Sequence, residues 1–121
     1  MSRLLTDAEL ELMNLLWSRG GATARELVSH LPDDRAYTTI STLLRILVDK
    51  GFCTTEPAGR AHRYVPAITR SEYQLRKLGA VVSGLFEGSP VDLVRQLVRS
   101  ETMTDAERAE LKQFLDDELE P

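Results

Sequence analysis

Between Ala36 and Val65 the chain gathers side chains suited to hydrogen bonding with a polyanion. Thr38, Thr39, Ser41, Thr42 and Arg45 lie in the segment AYTTISTLLRILVDKG, and Arg60, His62 and Arg63 follow in FCTTEPAGRAHRYV. Short hydroxyl side chains allow close approach of a helix. Their oxygens bond to phosphates or base edges, and threonine methyls touch thymine methyls. Arg45 is long enough for a guanine edge or a phosphate, and Arg60 and Arg63 can reach backbone phosphates or a narrow minor groove. A solvated surface competes as the reading of the helix taken alone. Its union with a basic hairpin favours duplex DNA. For His62, a partly buried hydrogen-bonding role is favoured over a DNA contact, and Arg63 can equally pair with Glu56 across the hairpin.

Those residues need a frame, and the local signals supply one. Ile40, Leu43, Leu44, Leu47 and Val48 recur at helical spacing, so the hydroxyls and Arg45 fall on the opposite face. Gly51 follows as a helix stop. Phe52–Glu56 and Ala61–Val65 read as two strands, joined by a turn over Pro57, Ala58, Gly59 and Arg60. Upstream, Thr6–Glu9 and Thr23–Glu26 are capping-box patterns. The first opens a helix with Leu10, Met13, Leu16 and Trp17, ending near Arg19 before Gly20-Gly21. The second opens a short helix burying Leu27, Val28 and Leu31, stopped by Pro32. Trp17 is read as a core residue.

Downstream, Thr69–Glu72 and Thr104–Glu107 repeat the capping-box pattern, and Gly88-Ser89-Pro90 breaks the helical run between them. The predicted class is mostly α (α+β). A winged helix-turn-helix over 1–66 is followed by three helices over 67–121. That tail has no second layer to bury its apolar stripes. It is therefore expected to pair with a second copy, giving a two-fold homodimer through Tyr73, Leu78, Val82, Leu85, Phe86, Val94, Leu97, Leu111, Phe114 and Leu115.

The net charge of −4 argues against nucleic acid, but its distribution does not. Residues 35–65 hold five basic and two acidic side chains, whereas residues from 67 onward hold seven basic and eleven acidic ones. The acid sits away from the candidate DNA face. The lone Cys53 excludes an internal disulfide and suits a reducing cytoplasm. No apolar run approaches the roughly 18 residues of a membrane span, and the first residues lack a signal-peptide core. Cys53 and His62 fall on facing strands, but two ligands make neither a zinc site nor an oriented nucleophile. No metal, no cofactor and no catalysis are expected.

With these elements in order, the chain resembles the BlaI/MecI/CopY family of bacterial repressors, also called penicillinase repressors. The resemblance rests on LTDAELELMNLLWSRGGATARELV, AYTTISTLLRILVDKG and GRAHRYVP, with the tail from Ser71 to Asp117, and covers almost the whole chain. It implies a homodimer on a palindromic double-stranded operator. It also implies release through a membrane sensor protease that triggers cleavage in the C-terminal domain. The matching bond here is near Gln96-Leu97, where better-known members carry Asn-Phe. Ile46 stands where many members have arginine, and this chain has Arg45 one residue earlier. A cysteine-rich copper-sensing motif is absent from the sequence. The expected function is therefore a DNA-binding repressor. Two alternatives are a small-molecule-responsive winged-helix regulator and an interaction module that never binds DNA.

Overall fold

The computed structural model describes residues 4–31 and 35–119; Pro32, expected to stop the second helix, lies outside them. The described residues form six helices and one three-stranded antiparallel sheet. In chain order these are α1 (Asp7–Arg19), β1 (Ala22–Thr23), α2 (Ala24–His30), α3 (Tyr37–Asp49), β2 (Cys53–Ala58), β3 (Ala61–Pro66), α4 (Arg70–Leu85), α5 (Pro90–Arg99) and α6 (Asp105–Leu119). Contacts divide the chain into two compact units, Met1–Lys77 and Leu78–Pro121.

In the first unit, local chemistry sets the helix ends. Thr6 and Thr23 each accept a hydrogen bond from the backbone N–H three residues on, while Glu9 and Glu26 accept from the threonine N–H in return. These are two complete capping boxes, each satisfying donors that the first helical turn leaves open. Gly20, at φ 78°, closes α1 in the left-handed conformation, which costs a residue without Cβ little. The hairpin places Glu56 opposite Arg63 and Ala58 opposite Ala61. β1 was not anticipated from sequence. Its two residues pair with Tyr64 and Arg63, which puts β3 at the centre of the sheet.

Leu12, Met13, Leu16, Leu27, Ile40, Leu44, Leu47 and Phe52 fill the core of this unit. Ile68 and Tyr73 join them, so residues beyond the wing complete this core. Tyr73 corrects one expectation. It was assigned to the dimer contact, yet it is 4% exposed, edge-on to Phe52, with its hydroxyl accepting from the Leu5 N–H. Its apolar periodicity is shared with the following turns, but its neighbours lie in its own chain. Glu9 is the buried charged residue of this core, and Lys50 at the end of α3 reaches its Oε1 at 2.7 Å. This pair ties the start of α1 to the end of α3.

The second unit holds the last turns of α4 with α5 and α6. Ser89 caps α5 and Pro90 opens it. Arg108 donates to the carbonyls of Val98 and Ser100, tying the end of α5 to α6. Thr104 and Glu107 form the capping box of α6. Among the described residues, neither α5 nor α6 buries a single side chain fully.

Candidate nucleic-acid interface

α3 has two unlike faces. Ile40, Leu44 and Leu47 are fully buried, whereas Thr38, Thr39, Thr42 and Arg45 are exposed and Ser41 is half-buried. At 3.6 residues per turn, Thr38, Thr42 and Arg45 form one stripe opposite the core. Thr39 and Ser41 lie on either flank of it. Thr39 also lines an open groove against α1 with Asp7, Glu11, Asn14 and Arg35.

The chemistry of the stripe is specific. The Thr42 hydroxyl donates to the Thr38 carbonyl at 2.9 Å, so its proton is engaged. Outward it offers a methyl group and free oxygen lone pairs, which suit a thymine methyl or a base amino group. Arg45 has no ion pair among the described residues. Ala36 gives α3 no side-chain cap, and the first turn carries no acidic residue. Among the described residues, no side chain therefore caps its positive end.

The wing sorts the basic residues onto opposite faces. β2 runs on to Ala58, so the turn is Gly59-Arg60 alone, with Gly59 at φ 64°. That left-handed residue at the first turn position suits a two-residue hairpin. Arg60 is exposed, without an ion pair among the described residues. Arg63 is turned the other way. Its Nε lies 3.4 Å from Glu56 Oε1, and its guanidinium packs over Gly21. Of the two roles considered for Arg63, the cross-strand pair is the one formed.

His62 is exposed, not partly buried, and has no hydrogen-bond partner among the described residues. Strand alternation puts His62 and Tyr64 on one face, and Arg60 from the turn lines the same cleft. Cys53 pairs in register with Pro66 and His62 with Pro57, so the cysteine and the histidine are apart along the hairpin. Cys53 is buried, its thiol donating to the Met13 sulfur at 3.5 Å, and burial pushes that thiol up to about 11. No group of metal-ligating side chains occurs among the described residues.

Two further side chains on this surface were missed from sequence. Arg25, in the first turn of α2, lies over the Tyr37 ring at 5.8 Å from its centroid. The signal was present: a cation in a helix's first turn opposes the helix dipole, so its presence asks for a reason outside the helix.

In the second unit, Leu78, Leu85, Val94, Leu97, Phe114 and Leu115 are exposed, while Val82, Phe86 and Leu111 are half-buried. Val91 and Leu119 add to the exposed apolar surface. Gln96 and Leu97 are adjacent exposed residues inside α5. No helix of the described residues is long and apolar enough to cross a membrane.

Helices α1 to α3 with the hairpin make a winged helix-turn-helix, and the exposed stripe of α3 beside the wing is the surface that this class turns to DNA. The family model of the penicillinase repressor matches residues 5–117. The chain belongs to the penicillinase repressor family, a family of transcriptional repressors. It is 27% identical to the penicillinase repressor of Bacillus licheniformis over 115 residues, covering 93% of this chain and 90% of that protein. A solution structure of monomeric Bacillus licheniformis BlaI in complex with the blaP half-operator aligns with a TM-score of 0.51 at 31% identity. It covers 60% of this chain and 92% of that one. The reduced form of MarR from E. coli, at 21% identity, shares the fold over 97% of this chain and 79% of its own, with a TM-score of 0.51.

Proposed function

We propose that this chain represses transcription as a homodimer bound to a palindromic DNA operator. Each α3 enters a major groove through Thr38, Thr39, Ser41, Thr42 and Arg45, and the wing meets the adjoining backbone through Arg60 and His62, with Arg63 kept to its pair with Glu56. The observation that carries this reading is the division of α3. Ile40, Leu44 and Leu47 on its core face are fully buried, while its opposite face keeps hydroxyls exposed beside a basic turn, with an Arg45 that has no ion pair among the described residues. The BlaI complex with a half-operator supports the same use of this unit here.

The dimer rests on residues 78–119. Leu85 is 72% exposed, Phe114 56% and Leu119 76%, a density of apolar surface that a lone chain in water would bury. A second copy satisfies it, with residues 78–121 as the dimerisation domain. Two α3 helices then read half-sites about one helical turn, roughly 10 base pairs, apart. Release follows from proteolysis near Gln96-Leu97, by a membrane sensor protease. That bond lies within α5, so cleavage requires α5 to unwind locally first.

Selection of genomic fragments by the purified full-length protein tests the reading. An inverted repeat should emerge, bound by a species that sediments as a dimer. Arg45→Ala should then weaken binding by about 1–3 kcal/mol if the side chain reads a base. Recovery of no fragment above non-specific affinity at low salt, from a folded dimer, would refute it.

A further inference from the structure

A cleft of about 200 Å³ lies where the start of α2, the start of α3 and the wing come together. Arg25, Tyr37, Arg60, His62 and Tyr64 line it, and among the described residues none that lines it is acidic. This contrasts with the groove along α1, where Asp7 and Glu11 share the lining with Arg35. The nearest carboxylate in sequence, Glu26, is engaged elsewhere. It accepts from the Thr23 N–H at 2.9 Å and pairs with Arg19 at 3.4 Å.

Three features suit this cleft to one kind of ligand. Arg25 and Arg60 come from different elements and have no carboxylate partner among the described residues, so their charge is unneutralised. Arg25 is held by the Tyr37 ring, which limits its rotamers while leaving its N–H donors free. A guanidinium pair around a concave, partly apolar wall matches a tetrahedral oxyanion, to which arginine donates in bidentate fashion.

We infer that the cleft seats a single phosphodiester of the DNA backbone, held jointly by Arg25 from α2 and Arg60 from the wing, with Tyr37 as the shelf that positions Arg25. This rests on the DNA-binding reading above and deepens it. The wing and the helix-turn-helix grip one phosphate together, which fixes how far α3 turns in the groove. Arg63, on the opposite face of β3, takes no part.

The test uses the full-length protein and the duplex recovered by selection. Arg25→Ala and Arg60→Ala should each weaken binding about 5- to 20-fold, equally across sequences, as phosphate contacts do. Two arginines on one phosphate also predict a signature in salt. Each neutralised phosphate contributes about 0.9 to the slope of log affinity against log salt. The double variant Arg25→Ala/Arg60→Ala should therefore lose about 0.9 from the slope, not about 1.8, and less affinity than the product of the single losses. Single methylphosphonate substitutions along the duplex should reveal one position that weakens wild type but neither single variant. Tyr37→Phe should bind like wild type, and Tyr37→Ala should lose a few-fold. Additive slopes, separate methylphosphonate positions for the two arginines, or an unchanged Arg25→Ala variant would overturn the shared seat. Failure of the wild type to bind any duplex would instead overturn DNA binding itself.

Discussion

Replacing Glu9 by glutamine should destabilise the protein by about 2 kcal/mol at neutral pH, and the loss should vanish in acid. Glu9 is 3% exposed and accepts from Lys50 Nζ at 2.7 Å and from the Thr6 N–H at 2.8 Å. Breaking a buried ion pair costs roughly 3–5 kcal/mol when the surviving charge is stranded. Here Lys50 keeps 24% of its side chain in water, and glutamine can still accept both hydrogen bonds. The remaining loss is the difference between charge-assisted and neutral hydrogen bonds, roughly 1 kcal/mol for each of two. Burial alone raises the Glu9 carboxyl, but the Lys50 ammonium and the Thr6 N–H outweigh it and hold the group below its ordinary value of 4.5. A carboxyl lowered by folding stabilises the native state above its unfolded pKa, and that contribution is lost as pH falls through the folded one. Urea unfolding of wild type and Glu9→Gln at one protein concentration, from pH 7 to pH 3, measures the difference. Glu26, Glu72 and Glu107, also lowered by their caps, are present in both proteins and cancel. A gap below about 0.5 kcal/mol at pH 7 would sink the argument, since single hydrogen bonds contribute at least that much. So would a gap that persists undiminished below pH 4.5.

Two further predictions concern the same unit. Gly21 sits at φ +136°, and a Cβ there would lie 3.0 Å from the Arg63 guanidinium and from the Tyr64 carbonyl. Gly21→Ala should therefore cost about 1–3 kcal/mol in urea unfolding, from backbone strain and from contact with a strand that cannot move aside; a neutral substitution would show that β1 yields there. Cys53 is 2% exposed with its thiol raised to about 11, so alkylation by iodoacetamide at pH 8 should be far slower in the folded protein than in urea. Equal rates would mean that the strand opens freely.

What was legible in the sequence was what is locally encoded. Thr6, Thr23, Thr69 and Thr104 each stand three residues before a glutamate, and each forms the box that spacing implies. The α3 faces were legible because one helical period sorts them. The hairpin register was legible as far as Glu56 and Arg63, since a short turn fixes which residues oppose. The rest depends on distant partners. β1 is two residues long and exists only because β3 offers it an edge, so no periodicity could announce it. Tyr73 shares its apolar stripe with residues of the second unit, and a stripe does not say which neighbour covers it. His62 was expected to be partly buried, but the short turn lifts its strand end into solvent.

Two departures from local helix rules lie together at the starts of α2 and α3. Among the described helices, α1, α2, α4, α5 and α6 each begin with a threonine or serine whose oxygen accepts a first-turn N–H. α3 begins with Ala36, which has no such oxygen, and forgoes a cap that contributes about 1 kcal/mol. α2 carries Arg25 in its first turn, against the dipole. Neither choice stabilises the isolated chain, and the three fully buried residues of α3 must offset the missing cap. Both choices become favourable if an anion lies beside Arg25 and the start of α3, because N–H groups and a guanidinium without a carboxylate partner among the described residues then gain one. Arg70 also opens α4 against the dipole, but it has partners within the chain, packing over the Trp17 ring and donating to the Asn14 carbonyl, whereas Arg25 stands at the surface proposed to meet the DNA backbone.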